Sequence, residues 1–318
     1  MNYLFPIING YRKNMNDLVI DVKSLELETL QNLKNSKASN TLRAYKADYK
    51  DFASFCFRNG LKPMPSEPKI ISFYLTYLSK SCKFSTLKRR LASISVIHRL
   101  SGHYIDVKHP VITENLMGIK RVKGSYQKAK KPILINDLKL IVNVIDKEEN
   151  EKKRFKNRAL ILIGFAGGFR RSELVAIHHE DIDFVPEGVK IFIKRSKTDQ
   201  SGEGMTKGIP YFSNSNYCPV ISLKNWIEKS GIKFGKIFDM SDKSVALTIK
   251  KYTSIAGLDS NKYSGHSLRS GFATSAAELG AEERSIMAMT GHKTTQMVRR
   301  YIQEANLFKN NALNKIKI

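Results

Sequence analysis

Cysteine is scarce in this chain of 318 residues: Cys56, Cys82 and Cys218 stand far apart, with no Cys-x-x-Cys pair. That spacing excludes a disulfide framework and a cysteine zinc site, and it fits a reducing compartment. Long apolar runs are missing as well. The most apolar stretch, Ala159 to Phe169, is too short to span a bilayer. The opening MNYLFPIINGYRKN holds a brief apolar run broken by Pro6, which is not a signal-peptide pattern. No GxxxxGK[ST] loop for nucleotide phosphates occurs. Gly164, Gly167 and Gly168 end a helical stretch instead of following a strand, so they do not make a dinucleotide loop. His178-His179-Glu180-Asp181 looks like a metal cluster, but adjacent helical residues point apart and a solvated helix end is the better reading. The shortage with the largest consequence is acid: 29 Asp and Glu face 54 Lys and Arg, a net charge of +25. Solubility does not require that excess, whereas a polyanionic partner explains it. Nucleic acid is favoured over a membrane because no basic amphipathic anchor or lipidation signal is present.

What is there divides along the chain. Residues 1–33 read as an arm, with a short helix expected from Asp21 to Leu33. Residues 34–120 read as a helical DNA-binding domain. From Lys34 to Lys131 there are 21 Lys and Arg against 5 Asp and Glu. One helix is expected from about Ser39, which is placed to cap it, with Leu42, Tyr45, Tyr49, Phe52 and Phe55 at helical spacing. A second follows Pro68, and a third runs from about Ser85 to Leu100 with Leu87, Leu91, Ile94 and Ile97 inward. The aromatic stripe reads as core and not as a base-stacking platform. Lys88, Arg89 and Arg90, with Arg43 and Lys123, are the candidate contacts to DNA phosphates. Residues 121–132, RVKGSYQKAKKP, read as a basic linker.

Residues 133–304 read as a second, mixed domain and residues 305–318 as a lysine-bearing tail. Asn136 is expected to cap a helix, a longer helix to span Glu151 to about Gly167, and Ser172 to cap a short one, SELVAIHHE. Alternation from Val189 to Ile193 and from Lys207 to Phe212, around the polar TDQSGEG, predicts a hairpin. The expected fold class is mainly α with a small antiparallel sheet in the second domain.

The stretch Ser264 to Gln303 concentrates chemistry. His266 and Arg269 lie one helical turn apart, His292 follows Gly291, and Tyr301 sits on a segment with Arg299 and Arg300. Arginine offers a planar fork of donors that matches phosphate oxygens. Tyrosine is a possible covalent nucleophile, but its free pKa of about 10 means that it needs help to lose a proton. Glu278, Glu282 and Glu283 lack the spacing of a metal cluster with the histidines, which points to metal-free phosphoryl transfer.

The motifs GGFRRSELVAI, RSKT, HSLR and GHKTTQMVRRYI occur in that order, with SNTLRAYKADYKDFASFC and FSTLKRRLASISVIHRLSG ahead of them. In this order and approximate spacing they resemble the tyrosine recombinases of the phage integrase class, over nearly all of Lys37 to Ile302. The resemblance implies a helical core-binding domain and a catalytic domain closing as a C-shaped clamp on double-stranded DNA. It implies a site-specific recombinase working through a 3′-phosphotyrosine without metal, ATP or other cofactor. Position by position it implies Tyr301 as nucleophile, Arg170 and Arg269 as the phosphate-binding pair, Lys197 as general acid, His266 and His292 beside them, and Glu173 as an orienting acid. It also implies a homotetramer on two DNA sites, passing through a Holliday junction, in the cytoplasm at the nucleoid. Arg171 and the His178-His179 pair depart from the pattern; register to Ser172-Glu173-Leu174 favours Arg170 over Arg171. A type IB topoisomerase-like enzyme using the same chemistry, or a non-catalytic DNA-binding protein of this fold, are the rival readings.

Overall fold

Helical periodicity builds the first of two units, Met1–Gln127 and Lys128–Ile318. The computed structural model describes residues 22–35, 38–126, 129–196, 199, 202–305 and 312–316. In the first unit these form α1 (Val22–Asn35), α2 (Ser39–Arg58), α3 (Pro68–Ser79), α4 (Phe84–Leu100) and α5 (Pro110–Lys123). Pro68 and Pro110 occupy first-turn positions, where a missing N–H costs no hydrogen bond. Ala38, not Ser39, holds the cap position of α2. The aromatic stripe is core: Phe52 and Phe55 of α2 pack with Tyr74 and Leu75 of α3, Leu87 and Ile94 of α4, and Ile112 of α5.

A polar network runs through this bundle. Asp48, 3% exposed, accepts hydrogen bonds from Arg89 and from Ser93 Oγ at 2.7 Å. Arg90 Nη1 lies 3.3 Å from both Asp48 and Asp51, and Tyr74 donates to Asp51 at 2.6 Å. Burial and that acceptor push the Tyr74 hydroxyl's pKa upward. A carboxylate inside an apolar bundle is tolerable only when its lone pairs are filled in this way.

The second unit is built around a helix whose carboxyl-terminal half is wholly apolar. It contains α6 (Ile135–Ile145), α7 (Glu151–Ala166), α8 (Arg171–Leu174), β1 (Ile182–Val185), β2 (Gly188–Ile193), β3 (Met205–Pro210), α9 (Pro219–Ser230), α10 (Asp242–Ile255), α11 (Ser267–Glu278), α12 (Glu283–Thr290) and α13 (Thr295–Ala305). Residues 159–166 of α7 are buried throughout, as expected of a helix apolar on every side. Its core cluster includes Ile141 and Ile145 of α6, Leu223 and Trp226 of α9, and Leu268 of α11. The strands form an antiparallel sheet in the order β1-β2-β3, with Val189 opposite Ile209 and Ile191 opposite Lys207. The expected hairpin is present, and β1 adds a strand that alternation alone left undivided from DIDF.

Two expectations fail locally. Leu134, not Asn136, stands at the cap of α6. The helix expected to start at Ser172 is only α8, four residues long, and Arg170 occupies its cap position. Glu173 caps the start of α8, its carboxylate accepting from the Arg170 backbone N–H at 2.9 Å, and the chain leaves the helix after Leu174, where the backbone of His178 pairs with Lys236. His178–Asp181 is therefore not a helix end: Glu180 accepts from Gly235 N–H, and Asp181 pairs with Lys194 at 2.7 Å.

The segment entering the second unit is sewn to the start of α11. Lys131 N–H donates to Lys262 O at 2.7 Å and Ile133 N–H to Ser267 O at 2.9 Å. Gly271 permits this approach, because a Cβ there would stand 2.0 Å from the Ile133 carbonyl oxygen.

Candidate active site

The apolar helix α7 delivers its carboxyl end to the site. Gly167 and Gly168 end it, Gly168 taking a φ of +54°, a left-handed conformation that suits glycine. Phe169, 2% exposed, turns inward. Arg170 follows at the cap of α8, its side chain 17% exposed, with Nη1 2.5 Å from Glu173 Oε1 and Nη2 3.5 Å from Gly291 O. Glu173, 3% exposed, thus holds both the backbone N–H and the guanidinium of one arginine, which fixes its orientation.

Helix α11 supplies the second arginine. His266 stands at its cap position and Arg269 one turn on. Arg269 is 1% exposed, and Nη1 donates to Gly168 O at 2.9 Å. Its Nε and Nη2 are buried without a hydrogen-bond partner. Leaving two donor nitrogens of a buried cation unfilled is costly. Two donor nitrogens in this plane beside Arg170 match the paired oxygens of an anion such as phosphate.

Gly291 ends α12 in the left-handed conformation, and His292 turns back toward the arginines. The Thr290 hydroxyl donates to Ile286 O at 2.6 Å, so its oxygen accepts from His292 Nδ1 at 2.7 Å. That arrangement leaves the lone pair of a neutral His292 on Nε2. Helix α13 packs on α11 and α12 through Val298 against Ala273, Ala277 and Ile286, and Tyr301 and Ile302 border this cluster. Arg299 pairs with Glu283 at 3.4 Å. The Tyr301 ring lies 6.1 Å from the His292 ring, centre to centre. The tyrosine is half-buried.

Mutual repulsion marks the cluster electrostatically. Burial pushes Arg269 down to about 10, helped by Arg170 and opposed by Glu173; Tyr301 is close enough for its charge to act on Arg269. His266 keeps an exposed surface, yet loss of solvation beside the packed cluster, then the charges of Arg269, Arg170 and Arg171, hold it below the usual histidine value. His292 is pushed down to about 4 by burial, then by Arg269 and Arg170. Both histidines are therefore neutral at pH 7.

The site thus brings together Arg170, Glu173, His266, Arg269, His292 and Tyr301 from four separate stretches of chain. Lys197 lies outside the described residues. Lys207 enters the cluster unannounced: it is 2% exposed, donates from Nζ to Gly167 O at 2.7 Å and lies 4.4 Å from the centre of the Phe169 ring. The signal for it was a charged residue at an inward position of an alternating strand, two before Ile209. Arg171 leans on Gly265, where a Cβ would stand 1.9 Å from its Cδ, and pairs with Asp242 at 3.7 Å.

The expected DNA contacts differ among themselves. Lys88 is exposed. Arg43 is exposed and bonded to Asn40 Oδ1 at 2.9 Å. The Arg89 side chain is 48% exposed while reaching Asp48, but that of Arg90 is 18% exposed and occupied by Asp48 and Asp51. Lys123 reaches Ser79 O. Among the described residues no helix is long and apolar enough to cross a membrane, and no three His, Cys, Asp or Glu side chains gather as metal ligands would.

A sequence model of the phage integrase family matches residues 133–307. An integrase/recombinase xerD homolog of Selenomonas ruminantium is 40% identical, over 99% of this chain and 96% of its own length. Tyrosine recombinase XerC of Staphylococcus aureus is 25% identical, over 88% of this chain and 91% of its own. Among solved structures, XerH site-specific recombinase in a post-cleavage complex with palindromic difH substrate aligns with a TM-score of 0.63 at 17% identity, over 86% of this chain and 80% of that one. A lambda integrase dimer bound to a COC' core site aligns at 0.59 and 18% identity, over 93% and 99%. At such identities the structural likeness is one of fold.

Proposed function

This chain belongs to the phage integrase family and is a tyrosine recombinase, an enzyme that breaks and rejoins DNA; on that premise we infer the part each side chain of the cradle plays. Tyr301 is the nucleophile. Its oxygen bonds to the scissile phosphorus as the bond to the deoxyribose 5′-oxygen breaks, leaving a 3′-phosphotyrosine and a free 5′-hydroxyl. Arg170 and Arg269 hold the two non-bridging oxygens and bind them more strongly as charge grows in the transition state. His266, neutral at pH 7, takes the Tyr301 proton. Lys197, which follows β2 in the sequence, gives a proton to the departing 5′-oxygen. Glu173 orients Arg170 and moves no proton itself.

His292 has a more particular part. With Nδ1 committed to Thr290, its neutral form offers only a lone pair at Nε2. Burial depresses its pKa most and the arginines next; a phosphate anion in the cradle offsets the arginine part and favours a protonated His292, which donates from Nε2 to a phosphate oxygen. In the second half of the reaction a 5′-hydroxyl from another strand attacks the phosphorus and gives its proton to Lys197, while the bond to Tyr301 breaks and its oxygen takes back the proton held at His266. The phosphodiester energy is conserved, so no ATP is consumed.

The observation that carries this reading is Arg269: a buried cation with two unfilled donor nitrogens beside a second, carboxylate-oriented arginine. Lys88, Arg43 and the exposed part of Arg89 touch the DNA backbone, whereas Arg90 braces the bundle. The working form is a homotetramer on two DNA sites, in the cytoplasm at the nucleoid, with the chain beyond Tyr301 docking on a neighbour. Deleting residues 305–318 should then impair synapsis and spare DNA binding; an unchanged recombination rate rejects the docking. The chemistry is tested by denaturing mixtures of the protein with DNA from its host and sequencing what stays attached. Wild type should retain one defined site through a tyrosine linkage and Tyr301→Phe none. Covalent DNA surviving in Tyr301→Phe overturns the assignment, and attachment without site preference favours a topoisomerase.

A further inference from the structure

Lys207 occupies a place where an apolar side chain would be cheaper. It alternates inward on β3 with Ile209, lies opposite Ile191 on β2, and is 2% exposed. Among the described residues no carboxylate lies within salt-bridge distance of it. Burial pushes its pKa down to about 7, with Glu173 acting against that and Arg269 and Arg170 adding to it. A lysine kept at such cost has a contact to make, and the one it makes is to the Gly167 carbonyl, 2.7 Å away.

That carbonyl matters because of where the chain goes next. The last carbonyls of an α-helix have no partner within the helix, and its carboxyl end carries partial negative charge. At the end of α7 two successive carbonyls are each filled by a buried cation from a different element: Gly167 by Lys207 of β3, Gly168 by Arg269 of α11. The Phe169 ring is packed under the Lys207 ammonium at 4.4 Å. The next residue is Arg170, whose backbone N–H is taken by Glu173.

We propose that Lys207 is a positioning residue for the phosphate cradle: with Arg269 it clamps the Gly167–Gly168 turn and so aims Arg170 at the scissile phosphate. The catalytic part of this proposal rests on the recombinase reading; the mechanical part does not. Lys207 touches neither substrate nor reacting atoms. It acts through the backbone, and a displacement of about 1 Å at a phosphate-binding group is enough to lower a rate by about a hundredfold.

The test uses the full chain with Lys207→Met, which keeps the apolar stem and removes the donor, and Lys207→Gln, which keeps an uncharged donor on a shorter stem. Hydrogen exchange is followed on the peptide spanning residues 167–173, together with thermal unfolding and single-turnover formation of the covalent DNA complex. The expected result for Lys207→Met is about tenfold faster exchange in that peptide, unfolding no earlier than wild type, DNA affinity within threefold, and cleavage slowed about 10- to 100-fold. Lys207→Gln should lie closer to wild type in both exchange and cleavage. Unchanged exchange in the peptide overturns the clamp whatever cleavage does, and so does a loss of cleavage that merely follows a general loss of stability. If exchange responds as expected while the wild-type protein forms no covalent complex with any DNA, the clamp stands and the recombinase reading falls.

Discussion

Replacing Arg269 with methionine should leave the DNA-free protein as stable as before, or more so, while destroying its chemistry. A guanidinium held at about 10, well below its ordinary value, is kept charged in the folded state at a cost of about 3 kcal/mol. The sign follows from linkage. The folded value lies below the unfolded one and both lie above neutrality, so the cost is present in full at pH 7 and fades only as pH rises past 10. Against this stands the hydrogen bond to Gly168 O, whose loss leaves a buried carbonyl short of a partner at about 1–3 kcal/mol. Arg269→Met should therefore gain between zero and about 2 kcal/mol, a rise in Tm of up to about 8 °C at this size. Inorganic phosphate should raise the Tm of wild type and not that of the variant, since only the former retains the guanidinium donors. Covalent complex formation on DNA should fall by about a hundred- to a thousandfold. Differential scanning calorimetry with and without phosphate, beside a single-turnover cleavage assay, measures all of this. A fall in Tm of more than about 5 °C, or cleavage within tenfold of wild type, would show that Arg269 is a structural arginine and refute the argument.

Other outcomes follow from individual contacts. Gly271→Ala forces a Cβ to within 2.0 Å of the Ile133 carbonyl; we expect about 1–3 kcal/mol of lost stability in urea unfolding, and a neutral result would mean that residues 131–133 do not lie against α11. Asp48→Ala strips Arg90 and Ser93 of their buried acceptor, so the first unit should lose about 3 kcal/mol or more, read as an earlier thermal transition; equal stability would sink the network. Between pH 6.5 and about 4 the folded protein binds fewer protons at His292 than the unfolded chain does, so stability should hold above 6.5 and fall through that window. His292→Gln should flatten the fall, and urea midpoints at pH 7 and pH 5 that shift equally in both proteins would contradict it.

Much of the fold was legible because helices built on a 3.6-residue period announce their inner face. Phe52, Phe55, Leu87 and Ile94 are where their spacing put them. The hairpin was equally plain from alternation. Charge was harder to read. Lys88, Arg89 and Arg90 are consecutive, and sequence treats them as one basic patch, yet helical geometry turns Arg90 inward to Asp48 and Asp51. Nothing local to the triplet announces that, since the carboxylates lie about 40 residues earlier, on α2. The short reach of α8 had a similar cause: the backbone beyond it took its partners from residues near 235, far along the chain.

The amino-acid order alone determined the chemistry on offer: an ordered set of two arginines, two histidines and a tyrosine, in a chain with a net charge of +25. Residue type and spacing suffice for that, because each motif is a local pattern on one helix or turn. Tertiary structure decided which of these groups share a field. Only the folding of α11, α12 and α13 against the end of α7 leaves Arg269 buried with two open donors and both histidines neutral. It also drew in Lys207, which no motif contains, because burial and the pairing of a distant strand are properties of the packed chain and not of any stretch of it.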